Sequence, residues 1–237
     1  MTPLLGKWGL AASLLFAVML SFTMLPPATR AAGSALQQKI ASIEAAAYKN
    51  KQMLGRYTWQ QQETVRVRGD IKKTALYQVR LGPDGKPVKT VITQSQSSDR
   101  RKWGIRSRIE QGYTEYGQQI ASLASSYTQF PSGRLKQLYA QGNVSLKSGG
   151  APGPESIVAT NYVKEGDSVT FTFDRAQKAI VALQIASYLS GPSDVVTIAV
   201  QFAKLPDGTM HVSTVSIDGQ SKSLTVQDVN SDYQKRS

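Results

Sequence analysis

Residues 57–85 read YTWQQQETVRVRGDIKKTALYQVRLGPDG, and the fold is decided there. Tyr57, Trp59, Val65 and Val67 take odd positions, with Thr58, Gln60, Gln62, Arg66 and Arg68 between them. After Gly69-Asp70, the residues Ala75, Tyr77, Val79 and Leu81 repeat the same alternation. A period of two sends successive side chains to opposite faces of a strand. Gly82-Pro83-Asp84-Gly85 is turn chemistry: proline fixes one torsion and glycine accepts a positive one. Val88 to Ile92 supplies a third strand, so an antiparallel meander is expected.

The same reading extends to the far end of the chain. From Ser168, Val169, Phe171 and Phe173 alternate with threonines up to Asp174. Val181, Leu183, Ile185 and Leu189 follow, then a Gly191-Pro192 turn, then Val196, Ile198, Val200 and Phe202. Leu205-Pro206-Asp207-Gly208 is another turn, and His211 to Ile217 and Leu224 to Val229 close the series. With Val144 to Leu146 as a short strand, eight or nine strands are expected. Turn signals recur between them, which gives hairpins and an antiparallel sheet. Gly149 to Pro154 reads as a loop within one domain.

Helical periodicity marks the rest. Leu36, Ile40, Ile43 and Ala47 recur at four, three and four, so a helix is expected over 35–54, with Ser34 and Gln37 as its capping box and Gly55 as its stop. Ile109, Tyr113, Tyr116, Ile120, Leu123, Tyr127 and Phe130 alternate spacings of four and three. They form a tyrosine-rich stripe on a second helix, ended by Pro131. Gly112 and Gly117 each cost that helix about 1 kcal/mol against alanine, so packing must hold it. Ser132 is the expected cap of a short third helix carrying Leu135, Leu138 and Tyr139. The fold class is therefore α+β: a strongly curved antiparallel sheet, an open or half β-barrel, wrapped around amphipathic helices. Such a sheet buries its apolar face only by curling over the helices.

Residues 1–31 have the layout of a secretory signal. Lys7 precedes an uncharged run from Trp8 to Leu25, Pro26-Pro27 breaks it, and Thr29-Arg30-Ala31 offers a cleavage context. The run exceeds the usual signal core of about 7–15 residues and falls just short of the roughly 20 that span a bilayer. Cleavage, and release of residues 32–237 into the periplasm as a single domain, is the preferred reading. A retained anchor in the inner membrane is the alternative. No cysteine is present, so neither a disulfide framework nor lipid attachment through cysteine is available.

The net charge is +12, which favours anionic partners. Arg100, Arg101, Lys102, Arg106 and Arg108 concentrate it in a candidate anion-facing patch, and Arg66, Arg68, Lys72 and Lys73 form a second group. A solvated loop is the plain alternative for both. Export turns the expectation toward an anionic membrane surface or an envelope protein, with no nucleic acid partner. A monomer is expected.

Catalytic and metal constellations are missing. The single histidine, His211, is expected to be an ordinary surface or strand residue, so a transition-metal site would need mostly oxygen ligands. No Gly-x-Ser-x-Gly elbow or lysine-bearing phosphate loop occurs. Glu63 with Asp70, or Asp167 with Asp174, could pair for glycoside hydrolysis. Each is expected at a turn or an exposed strand position, as a solvated carboxylate. No enzyme activity and no cofactor are expected.

The order of a helix, a meander beginning Tyr57-Thr58-Trp59, a helical insert over about 100–141 and a meander carrying Ser168 to Asp174 resembles the LolA-like family. Tyr77-Gln78-Val79 leading into Pro83-Asp84-Gly85, Val200-Gln201-Phe202 leading into Leu205 to Gly208, and Asn230 to Tyr233 resemble it too. The resemblance spans residues 35–235 and implies an unclosed antiparallel barrel with a helical lid, the fold of periplasmic lipoprotein carriers and localisation factors. It implies a binding face made of Tyr57, Trp59, Val65, Tyr77 and Val79 on one side. Phe171, Phe173, Leu183, Ile185, Ile198, Val200 and Phe202 would complete it on the other. Tyr113, Tyr116 and Tyr127 would form the lid, and an apolar or acylated ligand would be the cargo. A protein-interaction module with the cavity filled by its own helices is the alternative.

Overall fold

The computed structural model describes residues 27–96, 105–128, 133–148, 154–177 and 179–236. Three helices, α1 (Pro27–Leu54), α2 (Ile105–Thr128) and α3 (Arg134–Ala140), accompany ten strands. The first three strands are β1 (Tyr57–Val67), β2 (Asp70–Leu81) and β3 (Pro87–Gln96). The insert then leads to β4 (Val144–Ser148), β5 (Glu155–Thr160), β6 (Ser168–Asp174) and β7 (Ala179–Tyr188). Then come β8 (Val195–Lys204), β9 (Met210–Gly219) and β10 (Leu224–Lys235).

All ten strands form one antiparallel sheet in the order β3-β2-β1-β10-β9-β8-β7-β6-β5-β4. Its two edges, β3 and β4, do not pair with each other, so the barrel is open. The expected meander is present, and the carboxy-terminal strand inserts beside β1 to join the two halves. One strand was not anticipated. β5 is a short run, Glu155 to Thr160, sitting directly after a glycine- and proline-rich segment that reads as loop.

Two expected helix starts are corrected. α1 already begins at Pro27, so the chain is helical at Ser34 and no boundary lies there. Proline is preorganised for a first helical turn, and Ala28, Ala31 and Ala32 propagate it. A cut after Ala31 would fall inside α1; the rest of the expected signal, up to residue 26, lies outside the described residues. At α3 the cap position is Gly133 at φ 85, without a side-chain cap. Instead Glu44 of α1 accepts the Gly133 N–H at 3.1 Å. The expected cap Ser132 and the stripe's last member, Phe130, lie outside the described residues.

The register builds continuous rows across the sheet. One row joins Ala159, Val169, Ile185, Ile198, Ile217, Val226 and Val65. The next joins Ile157, Phe171, Leu183, Val200, Val215, Asp228, Glu63 and Ala75. From Ala159 to Val226 and from Ile157 to Val215 these rows face the helices: Ile40 and Ile43 of α1, Tyr116, Ile120 and Tyr127 of α2, and Leu135 and Leu138 of α3 share one buried cluster with them. Hairpin turns alternate between the two ends of the half-barrel, and a helix crosses each end. α2 spans the end holding the β5–β6, β7–β8 and β9–β10 turns. α1 spans the other, where Asn50 exchanges hydrogen bonds with the backbone of Met210 at 2.7 and 2.8 Å.

Candidate functional site

The concave face is the candidate site. Of the residues expected on it, Tyr57, Trp59, Tyr77, Val79, Phe171, Leu183, Ile185, Ile198 and Val200 are buried, and Val65, Phe173 and Phe202 partly so. They do not form one patch. Phe171, Leu183, Ile185, Ile198 and Val200 belong to the large cluster under the helices, whereas Trp59, Tyr77 and Val79 join Ala75, Leu81 and Tyr233 in a second, smaller one. Trp59 stacks on Tyr233 with ring centroids 5.4 Å apart.

The tyrosines of α2 act as latches on the turns beneath it. Tyr127 donates to Asp167 Oδ2 at 2.5 Å and lies 2.9 Å from Ser187 Oγ. Tyr116 donates to Asp194 Oδ1 at 3.0 Å. Burial, reinforced by these carboxylates, raises both phenols above the ordinary tyrosine value, Tyr127 well above it, so they stay protonated donors. Tyr113 is half-buried, with the Lys222 ammonium 5.8 Å from its ring. Lys222 also donates to the carbonyl of Gly112. The helix sits close: a Cβ on Gly219 would fall 2.5 Å from Ile120 Cδ1 and 2.7 Å from Tyr116 Cε1.

Several polar residues are placed differently from expectation. Asp167 is buried rather than solvated. Its carboxylate collects the backbone N–H groups of Tyr162, Val163 and Lys164 and so fixes the turn beneath Tyr127. His211 is a strand residue, one of its two expected placements, and is buried on β9 with its ring 4.1 Å from that of Tyr233. Lys73, read with the basic turn, points inward instead: it pairs with Glu63 at 2.8 Å and donates to Tyr77 OH at 3.1 Å. Asp174 keeps its expected role at a turn, accepting from the Ala176 and Gln177 backbone. Arg100, Arg101 and Lys102 lie outside the described residues, and of Arg106 and Arg108 only the backbone, in α2, is described.

A polar belt separates the two apolar clusters, and sequence reasoning missed it. Gln61, Glu63, Asp228 and Asn230 face one another across β1 and β10, with Tyr77 and Lys73 beside them on β2. Gln61 and Glu63 on β1, and Asp228 and Asn230 on β10, interrupt the apolar alternation of their strands, which was the available signal. Burial pushes the Asp228 carboxyl up to about 6 and the Glu63 charge adds to that, while Lys89, Lys73 and Gln61 pull the other way. Lys89 of the edge strand β3 reaches within 4.0 Å of Asp228. Three strand spacings of a flat sheet would separate those backbones by about 14 Å, so the contact registers how tightly this wall curls.

Among the described residues no group of His, Asp or Glu side chains could hold a metal ion, and no helix is long and apolar enough to cross a membrane. No family model and no curated protein matches the chain. Solved structures similar to it include three from bacteria. A DUF1329 family protein from Desulfovibrio piger has TM-score 0.41 and 10% identity, over 83% of this chain and 92% of that one. A domain described as an outer membrane lipoprotein-sorting protein from Vibrio parahaemolyticus has TM-score 0.40 and 8% identity, over 84% and 94%. A LolA superfamily protein from Nitrosomonas europaea has TM-score 0.35 and 10% identity, over 82% and 94%.

Proposed function

We propose that this chain is an exported, non-enzymatic binding protein that holds the apolar part of a lipid-modified envelope ligand against the concave face of its half-barrel. Carriage of lipoproteins is the form of that activity the resemblance favours. The observation that carries the reading is the unbroken apolar floor, from Ile157 through Phe171, Leu183 and Val200 to Val215, lying under the helices. α2 contains Gly112 and Gly117, and its polar attachments are a few tyrosine and lysine hydrogen bonds at the turns. Lifting it would expose a floor on which each acyl CH₂ is worth about 0.8 kcal/mol before ordering costs.

The alternative, an interaction module on the same scaffold, has its own support. Helical and sheet residues already share one buried cluster, and Tyr116 and Ile120 sit where any side chain at 219 would go. Native mass spectrometry of protein purified from the envelope separates the two. Mass adducts of acyl-chain size, regained by stripped protein on incubation with a diacylated peptide, are the expected result. Protein that is always empty and takes up no lipopeptide overturns the carrier. A stoichiometric protein partner in crosslinked envelope extract would then support the module.

A further inference from the structure

The belt between the two apolar clusters has acceptors to spare. Asp228 Oδ1 and Asn230 Oδ1 are shielded from solvent and have no hydrogen-bond partner. A buried acceptor left unmade costs about 1–3 kcal/mol, and a charged one more. The neighbours are already committed. Lys73 is engaged by Glu63 and Tyr77, the buried Gln61 side chain hydrogen-bonds the Asp228 carboxylate, and the Asn230 amide donates to the carbonyl of Val212 at 3.0 Å. Lys89 stands 4.0 Å from the other oxygen of Asp228, at the outer limit of an ion pair, with its ammonium 5.3 Å from the centre of the Tyr77 ring. It comes from the exposed edge strand, and such a loose pair contributes little. Two acceptors thus lie two positions apart on β10, opposite Glu63 and Gln61 of β1, attended by a cation from the edge strand.

We infer that Asp228 and Asn230 form a head-group subsite for a primary ammonium carried on an alkyl or acyl chain, with the ammonium replacing that of Lys89. The inference rests on the binding function proposed above and names the polar end of its ligand. A primary ammonium has three N–H donors, enough for both free oxygens. Trp59, Val79 and Tyr233 on one side of the belt, or the large cluster on the other, would receive the chain. A quaternary ammonium has the same charge and no donor, which makes it the discriminating comparison.

The test is displacement of a hydrophobic fluorescent dye from the full chain, below the critical micelle concentrations, by dodecylammonium, dodecyltrimethylammonium and methyl dodecanoate. Dodecylammonium is expected to act at roughly ten-fold lower concentration than its trimethyl analogue. Asp228→Asn should abolish that preference. Lys89→Gln, at the exposed edge where folding is not at risk, should widen it by removing the competing cation. Equal potency of the two cations, or a preference unchanged by both substitutions, overturns the subsite. If the three amphiphiles bind alike, the binding function stands and the subsite alone falls. If none displaces the dye, both fall.

Discussion

Tyr127 pins α2 to the sheet, because its hydroxyl joins the helix to a carboxylate that is itself buried. Tyr127→Phe leaves Asp167 with its three backbone donors and one lost partner, and should cost about 1–3 kcal/mol in urea unfolding. Tyr113→Phe, at a half-buried phenol, should stay within about 0.5 kcal/mol. Asp228 makes a prediction about pH. Its folded pKa, about 6, lies above the ordinary aspartate value of 3.8, so the folded state holds the proton more tightly than the unfolded chain. Its contribution is fully present below about pH 4 and is lost as pH rises toward 6. Wild type should therefore lose on the order of 2 kcal/mol relative to Asp228→Asn across that window, with Glu63, Lys73, Lys89, Gln61 and Asn230 left in place. Parallel stability curves for the two proteins would contradict this burial. The positions of these groups were not legible in the sequence. Asp167 looks like any turn carboxylate, and its burial follows from a helix forty residues away arriving above it.

At the scale of the element, α2 was read almost to its ends, because a stripe at alternating spacings of four and three has no other regular solution. Its glycines show how firmly it is held. A Cβ on Gly117 would approach only Leu224 Cδ1, at 4.0 Å, so Gly117→Ala should fit and stabilise by up to about 1 kcal/mol. If α2 must lift for ligand to enter, the same change should slow lipopeptide uptake in stopped-flow mixing; an unchanged rate would mean that entry does not require α2 to move. Gly219→Ala works in the opposite sense. The new methyl would overlap Ile120 and Tyr116, and overpacking of this kind costs about 1–3 kcal/mol. A melting temperature equal to wild type would show that α2 yields without penalty. β5 escaped the reading because Ser156-Ile157-Val158-Ala159 is too short for its alternation to stand out beside the Gly149 to Pro154 run. Its strand state comes from pairing on both sides, with β4 and β6.

For the molecule as a whole, the open sheet with a helix across each end is what makes a binding function reasonable, and the net charge of +12 bears on where it acts. Co-sedimentation with anionic vesicles should be clear at low salt and should fall away as ionic strength approaches about 0.5 M, because screening shortens the reach of surface charge to a few ångströms. Binding indifferent to salt would remove charge as the cause. The sequence by itself determined the meander, the tyrosine stripe and the α+β class, since periodicity and turn chemistry are local and each segment reports its own. The tertiary structure alone decided that β10 joins β1, that the apolar face divides into two clusters, and that Glu63 meets Asp228 between them. The β1–β10 pairs link residues 157 to 178 positions apart, from Val67 with Leu224 to Tyr57 with Lys235. A strand's own pattern says which face it buries and is silent about the neighbour it will lie against.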